Sequence, residues 1–325
     1  MSNLIFRSIE RSDIPDVQSL FHLVFNRDLS AEYYLWQFFE SPFGGGYSKG
    51  AWVDDTLVAH VGYTPREFIV NGRPGKVLSN HTMMSHPDHR GKGYYSKLIK
   101  WAVSNFAEQG WDMVISHPNR ASHPVQMMHD RYVDITILPA LTWRSEKERH
   151  SPVEIQLEER FKPCRNFGDE YRTLCEITSG RVLYTLKRSP DYLSWRYGRR
   201  PNTAYFLHEY RSAGRLLSAV IFKLYPREQP TRINICEWLC PDDDRVSAER
   251  PLMDLLDLAE KFGLEVQLWH SVYDKPRRCW LERLGFYLDV PVFYFGVYAL
   301  KSGEYLGPYT DFRYWYHTMG DHDVF

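Results

Sequence analysis

The sequence has little of several things, and each shortage narrows the reading. Cysteine is sparse: Cys164, Cys175, Cys236, Cys240 and Cys279 are odd in number and follow no metal-ligand spacing. A disulfide scaffold is excluded, and free thiols in a reducing cytoplasm are expected. Long apolar runs are missing. The longest, VPVFYFGVYAL over residues 290–300, is too short to cross a bilayer and predicts a buried strand. The first residues, MSNLIFRSIERSD, show neither the apolar core nor the cleavage site of a secretory leader, so none is expected. No excess of one charge exists: 40 Lys and Arg face 41 Asp and Glu. No global field then recruits nucleic acid or an acidic membrane. Histidines are dense at His81, His86, His89, His117, His123 and His129. None falls in a Cys/His zinc spacing or an i, i+4 helical pair, so no metal is expected.

What is present suits two domains: 325 residues, 43% of them hydrophobic. The 22 Tyr and 10 Trp fill cores or line a cleft. Two stretches match in order. SAEYYLWQFFESPF from Ser30 aligns with SPDYLSWRYGRRPN from Ser189, pairing Tyr33 with Tyr192, Trp36 with Trp195 and Pro42 with Pro201. Further on, Pro87 pairs with Pro241, Leu98 with Leu252 and Pro124 with Pro276. Ordered matches with small changes of offset predict a tandem duplication. The charged stretch from Arg144 predicts a linker near 145–152, hence domains over 1–145 and 152–325. Each half reads as a mixed sheet with helices, an α/β (α+β) arrangement. In the first half, Ser12 is the expected cap of a helix with Pro15 in its first turn. Asn71-Gly72 is an expected hairpin turn. KVLSNHTMMS is a strand, and Tyr94 to Glu108 a helix burying Leu98, Ile99, Ala102, Val103 and Phe106.

The chemistry centres on HPDHRGKGYYSKLIKWA, residues 86–102. A strand ends at Ser85, a turn with two glycines and two cations follows, and a helix begins. The first helical turn leaves backbone N–H groups without partners, and its dipole favours an anion. Glycine lets that anion approach the backbone. The turn suits a phosphate or diphosphate.

Arg90-Gly91-Lys92-Gly93-Tyr94-Tyr95 resembles the acyl-CoA signature (Gln/Arg)-x-x-Gly-x-(Gly/Ala) of the GNAT acyltransferase superfamily. It departs at the sixth position, where Tyr95 must turn its ring away. The resemblance covers the first half to about Trp143. The second half looks like a degenerate copy, with DDDRVSAERP at the turn. A tandem GNAT-like fold is thus implied, with acetyl-CoA as cofactor in the N-terminal half. The amides of Arg90, Gly91, Lys92, Gly93, Tyr94 and Tyr95 would hold the diphosphate. The backbone of Met83, Met84 and Ser85 would hold the pantetheine and thioester carbonyl, and Asn119 would meet the arm.

Amine acylation also needs a base. Where many family members carry a Glu, this chain has Ser79; His81 lies on the same strand face and is the candidate. By the Pro124–Pro276 register, the family's acid position holds His129, with Tyr132 as the fallback. The carboxylate of Phe325, at the end of the aromatic tail, is a further candidate base. Tyr33, Tyr34, Trp36 and the Gly44-Gly45-Gly46 loop are candidates for the acceptor site. The expected activity is acetyl transfer to a primary amine of a small polar acceptor, such as an amino sugar or amino acid derivative. No nucleic-acid or membrane partner is expected, and a homodimer is allowed. The other readings are a non-catalytic acyl-CoA sensor, or a transferase of longer acyl chains or from aminoacyl-tRNA.

Overall fold

The computed structural model describes residues 3–147, 155–226, 230–290 and 293–323. Its strands are β1 (Leu4–Ser8), β2 (Lys49–Val53), β3 (Thr56–Val70), β4 (Arg73–Ser85), β5 (Met113–Ser116), β6 (Tyr132–Ile137), β7 (Ala140–Arg144), β8 (Lys162–Pro163), β9 (Thr185–Leu186), β10 (Phe206–Ser212), β11 (Arg215–Tyr225), β12 (Arg232–Leu239), β13 (Glu265–Trp269), β14 (Tyr287–Asp289) and β15 (Tyr294–Ala299). The helices used below are α1 (Ile14–Phe25), α2 (Ala31–Phe38), α3 (Tyr94–Glu108) and α4 (His123–Met127). The chain forms a mixed α/β fold of two compact units.

Unit one comprises the chain up to Thr136, Arg200–Asn202 and Phe293–Asp311. Its sheet runs β1-β2-β3-β4-β5-β15-β6. β3 and β4 form a long hairpin whose last pair is Val70↔Arg73. Asn71 and Gly72 turn it with φ of 52° and 74°, the two-residue geometry expected of Asn-Gly. β4 and β5 are parallel and joined by α3. That helix buries Leu98, Ile99, Ala102, Val103 and Phe106, the expected stripe, against Ala59, Val61, Tyr63, Leu78 and Val114. α1 and α2 pack in a second cluster with Trp52, Leu57 and Met84. The cap of the first helical segment differs from expectation. Glu10 and Asp13, not Ser12, form a capping box there, and Arg7 binds Asp13 at 2.6 Å. A carboxylate that both caps and pairs outcompetes a serine.

Unit two comprises Ile137–Arg199, Thr203–Val292 and the chain from Phe312. Its sheet, read from β8, runs β8-β10-β11-β12-β13-β7-β14. β12 and β13 are its parallel pair, holding the place of β4 and β5. The apolar run DITILPALTW, residues 134–143, divides at Leu138-Pro139. Residues 132–137 join the first sheet and 140–144 the second. Proline cannot donate to a ladder, so the strand breaks there. The first sheet takes residues 294–299 at the matching place. The units thus interleave along the chain, where the sequence suggests one cut near 145–152; residues 148–154 lie outside the described residues.

Candidate functional site

β4 and β5 pair through Val77↔Met113, Leu78↔Val114 and Ser79↔Ile115, and no further. β4 continues to Ser85, still bound on its other edge to β3 through Ala59↔Ser85. Among the described residues, 80–85 therefore carry one backbone edge without a neighbouring strand. A bulge sits in this stretch, between His60 and Gly62 on β3, and Thr82 has φ +48°. A β-branched residue in the left-handed region is strained and must be held. His60 Nδ1 lies 2.9 Å from the Thr82 carbonyl, and Nε2 lies 2.8 Å from the Tyr34 hydroxyl. A carbonyl only accepts, so Nδ1 carries the proton and Nε2 accepts from Tyr34. Burial pushes the His60 pKa down to about 4, so this neutral tautomer persists.

The turn follows directly. Gly91 and Gly93 have φ of +76° and +75°, and an added Cβ at either would meet nothing within 4 Å. Their conformation requires glycine, and the space before them is open. Gly93 caps α3, whose first N–H groups lack helical partners. Arg90 and Lys92 are exposed beside it. Tyr95 solves the departure at the sixth signature position: its ring joins the core under α3. Its hydroxyl is buried with no hydrogen-bond partner among the described residues.

Across the gap, Ser116 at the end of β5 donates to Gln126 Oε1. Gln126 Nε2 reaches Met83 Sδ at 3.2 Å. This buried glutamine on α4 ties the two parted strands together, and the sequence carried no signal for it. Asn119 closes the turn before α4: its Oδ1 accepts from the amides of Ala121 and Ser122, both at 3.0 Å. Its side-chain acceptor is thereby engaged locally.

The two candidate acids are constrained. His129 Nδ1 accepts from the Arg131 amide at 3.2 Å, so a proton there would face another N–H. Burial also lowers its pKa. His129, placed by the sequence at the acid position, is thus held as a neutral imidazole with its proton on Nε2. Tyr132 donates to Asp134 Oδ1 at 2.9 Å, and His123 binds Asp134 Oδ2 at 2.7 Å. Burial first, then Asp134, raises the Tyr132 pKa.

His81 is buried opposite Gly62, its ring 6.5 Å from that of Phe38. Tyr34, expected at the acceptor site, is instead wholly buried among α1 and α2. Its periodicity matched an exposed aromatic equally well, and only the His60 partner reveals its role. Tyr33 and Trp36 stack at 5.5 Å, with the Arg200 guanidinium 5.5 and 5.6 Å from their rings. Trp36 is buried; Tyr33 stays partly accessible. Phe325 lies outside the described residues. Among the described residues, no group of three or more His, Cys, Asp or Glu is placed to hold a metal, and no helix is long and apolar enough to cross a membrane.

In unit two, β12 and β13 also part, after Ile235↔Leu268. Here the chain's own tail fills the opening. Gly320 sits so close that a Cβ would lie 3.0 Å from the Cys236 carbonyl and 2.5 Å from Glu237 Oε1. His317 and His322 pack on Trp269 at 6.1 and 5.9 Å. Arg196 holds the Gly320 and His322 carbonyls at 3.2 and 2.9 Å. Arg188 binds Glu237 at 2.7 Å and Asp321 at 3.1 Å. At the turn after β12, Asp242 is paired to Arg181 and Arg277 at 2.8 and 2.9 Å.

Comparison with known proteins agrees with this geometry. Residues 6–125 match the model of an acetyltransferase (GNAT) domain. No curated protein matches the chain. Among solved structures, a GCN5-related N-acetyltransferase from Anabaena variabilis superposes with TM-score 0.67 at 12% identity, covering 90% of this chain and 72% of that one. A probable N-acyltransferase of unknown function from Enterococcus faecalis gives 0.64 at 15%, covering 91% and 72%. A GCN5-related N-acetyltransferase from Kribbella flavida gives 0.62 at 13%, covering 91% and 71%. The chain shares their fold, and its match to the GNAT domain model spans the parted strands and the glycine turn.

Proposed function

We propose that unit one binds acetyl-CoA and passes its acetyl group to a primary amine of a small polar acceptor, by direct attack in a ternary complex. One observation carries this: an unpartnered backbone edge over 80–85 leads straight into a left-handed glycine turn and a helix N-terminus. The residues fit the donor. Open space before Gly91 and Gly93, with Arg90 and Lys92 beside it, suits the diphosphate, held by the amides of Arg90 to Tyr95. The free edge at Met83, Met84 and Ser85 suits an arm rich in amides. When bound, the donor supplies an acyl group activated as a thioester. A backbone amide aimed at the carbonyl oxygen stabilises the charge that develops there. His81 would take the amine proton, because a protonated amine has no lone pair. The acceptor class rests on aromatic residues such as Tyr33, whose faces stack on sugars, and on the balanced charge.

The unit-two opening, filled by residues 317–322, supports one donor per chain. We read the two units as tandem copies, the second without a cofactor. A non-catalytic acyl-CoA sensor is the second reading, favoured by Ser79 in place of an acid and by the engaged state of His129 and Tyr132. Thiol release from acetyl-CoA, followed across a panel of amino sugars and amino acid derivatives, separates them. An enzyme shows acceptor-dependent release that His81→Ala reduces by about 10²–10⁴-fold while acetyl-CoA still binds. Tight binding with no release for any acceptor supports the sensor.

A further inference from the structure

His123 is the first residue of α4, and it is held on three sides. Its Nε2 donates to Asp134 Oδ2 at 2.7 Å. One ring face stacks on Tyr294, centre to centre 3.9 Å and 12° from parallel. Its backbone amide donates to the Asn119 carbonyl at 2.9 Å. Asp134 is fixed in turn, because the Tyr132 hydroxyl donates to its other oxygen at 2.9 Å. A carboxylate only accepts, so the ring proton facing it sits on Nε2. Nδ1 is left over. It makes no hydrogen bond among the described residues, and it is not sealed in, since 13% of the side chain stays exposed. Position matters as much. Gln126, three residues on, shares that face of α4 and touches Ser116 and Met83 on the two parted strands. Residues so spaced have Cβ atoms about 5–6 Å apart. His123 thus stands one helical turn from the opening between β4 and β5. His22 also meets a carboxylate, Asp28, but that is a surface pair, its side chains 62% and 95% exposed.

A ring fixed by a carboxylate at one nitrogen and open at the other is arranged to carry a proton. The carboxylate selects the tautomer and stabilises the imidazolium when it forms. Imidazole as a group takes up and releases its proton near neutral pH. The two acids that the sequence suggests are spent: His129 is held neutral, and Tyr132 gives its hydrogen bond to Asp134. We propose that His123 is the catalytic acid of the transfer, with Asp134 and Tyr132 as its positioning residues. The inference rests on the transferase reading above. The step balances. As the amine nitrogen bonds to the acyl carbon, the carbon–sulfur bond breaks and its electron pair stays on sulfur. His123 gives its Nδ1 proton to that sulfur and is left as the neutral Nε2–H form. The amine proton goes to His81, and solvent restores the proton on Nδ1. Tyr132, the fallback acid of the sequence, then acts through Asp134 and not on the sulfur.

The test uses the full chain, acetyl-CoA, and hydroxylamine as acceptor, an amine that keeps its lone pair at neutral pH and so needs no base. A second donor is the acetyl thioester of para-nitrothiophenol, whose thiolate leaves without a proton. In His123→Gln, thiol release from acetyl-CoA should fall by about 10²–10⁴-fold, while release from the aryl thioester barely changes. Asp134→Asn should follow the same pattern. Acetyl-CoA affinity, by calorimetry, should stay native in both variants. In the ligand-free chain, nitrogen NMR should show the His123 ring protonated on Nε2, a signal assigned by its loss in His123→Gln. Full release from acetyl-CoA in His123→Gln overturns the role and leaves the transferase reading intact. Both donors slowed alike, with weaker acetyl-CoA binding, also overturns it, because the pair would then serve the fold alone. So does a ring protonated on Nδ1 only. A native chain that binds acetyl-CoA but releases no thiol to hydroxylamine overturns the transferase reading, and the role of His123 with it.

Discussion

A threonine at φ +48° inside a strand is held by its neighbours. Tyr34 and His60 do so through two hydrogen bonds, the second of which reaches the Thr82 carbonyl itself. Tyr34→Phe keeps the ring and removes one of them. We expect a loss of about 1 kcal/mol in urea denaturation, and weaker acetyl-CoA binding if the bulge sets the edge. The same pair makes stability depend on pH. His60 titrates near 6.5 when unfolded and near 4 in the fold, and buried His317 does likewise. Between those values the unfolded chain binds a proton that the fold excludes. Stability is therefore full above about pH 6.5 and falls as pH drops towards 4, by on the order of 3 kcal/mol for His60 alone. Denaturation of the native chain and His60→Gln between about pH 7 and pH 4.5 checks this: the variant should show the shallower loss. None of this was legible in the sequence. A buried tyrosine and an acceptor-lining tyrosine have the same letter and, on a short helix, the same periodicity. His129 was legible as a position but not as a protonation state, because the Arg131 amide that fixes it is a fact of the turn.

At the scale of elements, local signals sufficed wherever the chain's own chemistry decides. Asn71-Gly72 imposes its hairpin, and the apolar stripe from Leu98 to Phe106 imposes the buried face of α3. The glycine turn was legible for the same reason: only glycine accepts φ near +75° without strain at both positions. Gly93→Ala should cost about 1–2 kcal/mol from the left-handed conformation alone, measured as a shift of the urea midpoint. It should also weaken acetyl-CoA binding, since the added methyl enters the open space. What local signals cannot report is a non-local partner. The apolar run at residues 134–143 is continuous, yet it supplies two strands. Pro139 is its only internal mark of a break, and the choice of two sheets belongs to the strands on either side.

At the scale of the molecule, the two sheets have like strand order, each with a parallel pair that parts. Their fates differ. In unit one the opening leads to a glycine turn; in unit two the tail closes it. The closure rests on Arg188, buried with Glu237 and Asp321. Arg188→Met leaves two carboxylates buried without their cation. Removing one member of a buried ion pair costs about 3–5 kcal/mol, so this variant should show marked loss of stability by thermal unfolding. The sequence shows three aspartates at the second turn, but not that Arg181 and Arg277 engage Asp242, nor that the aromatic tail is the plug.

The most direct test of one open site per chain is calorimetric titration of acetyl-CoA into the native chain and into Arg90→Glu combined with Gly93→Asp. The account predicts one site per native chain and none in the variant. No binding to the native chain, two sites per chain, or undiminished binding to the variant would contradict it.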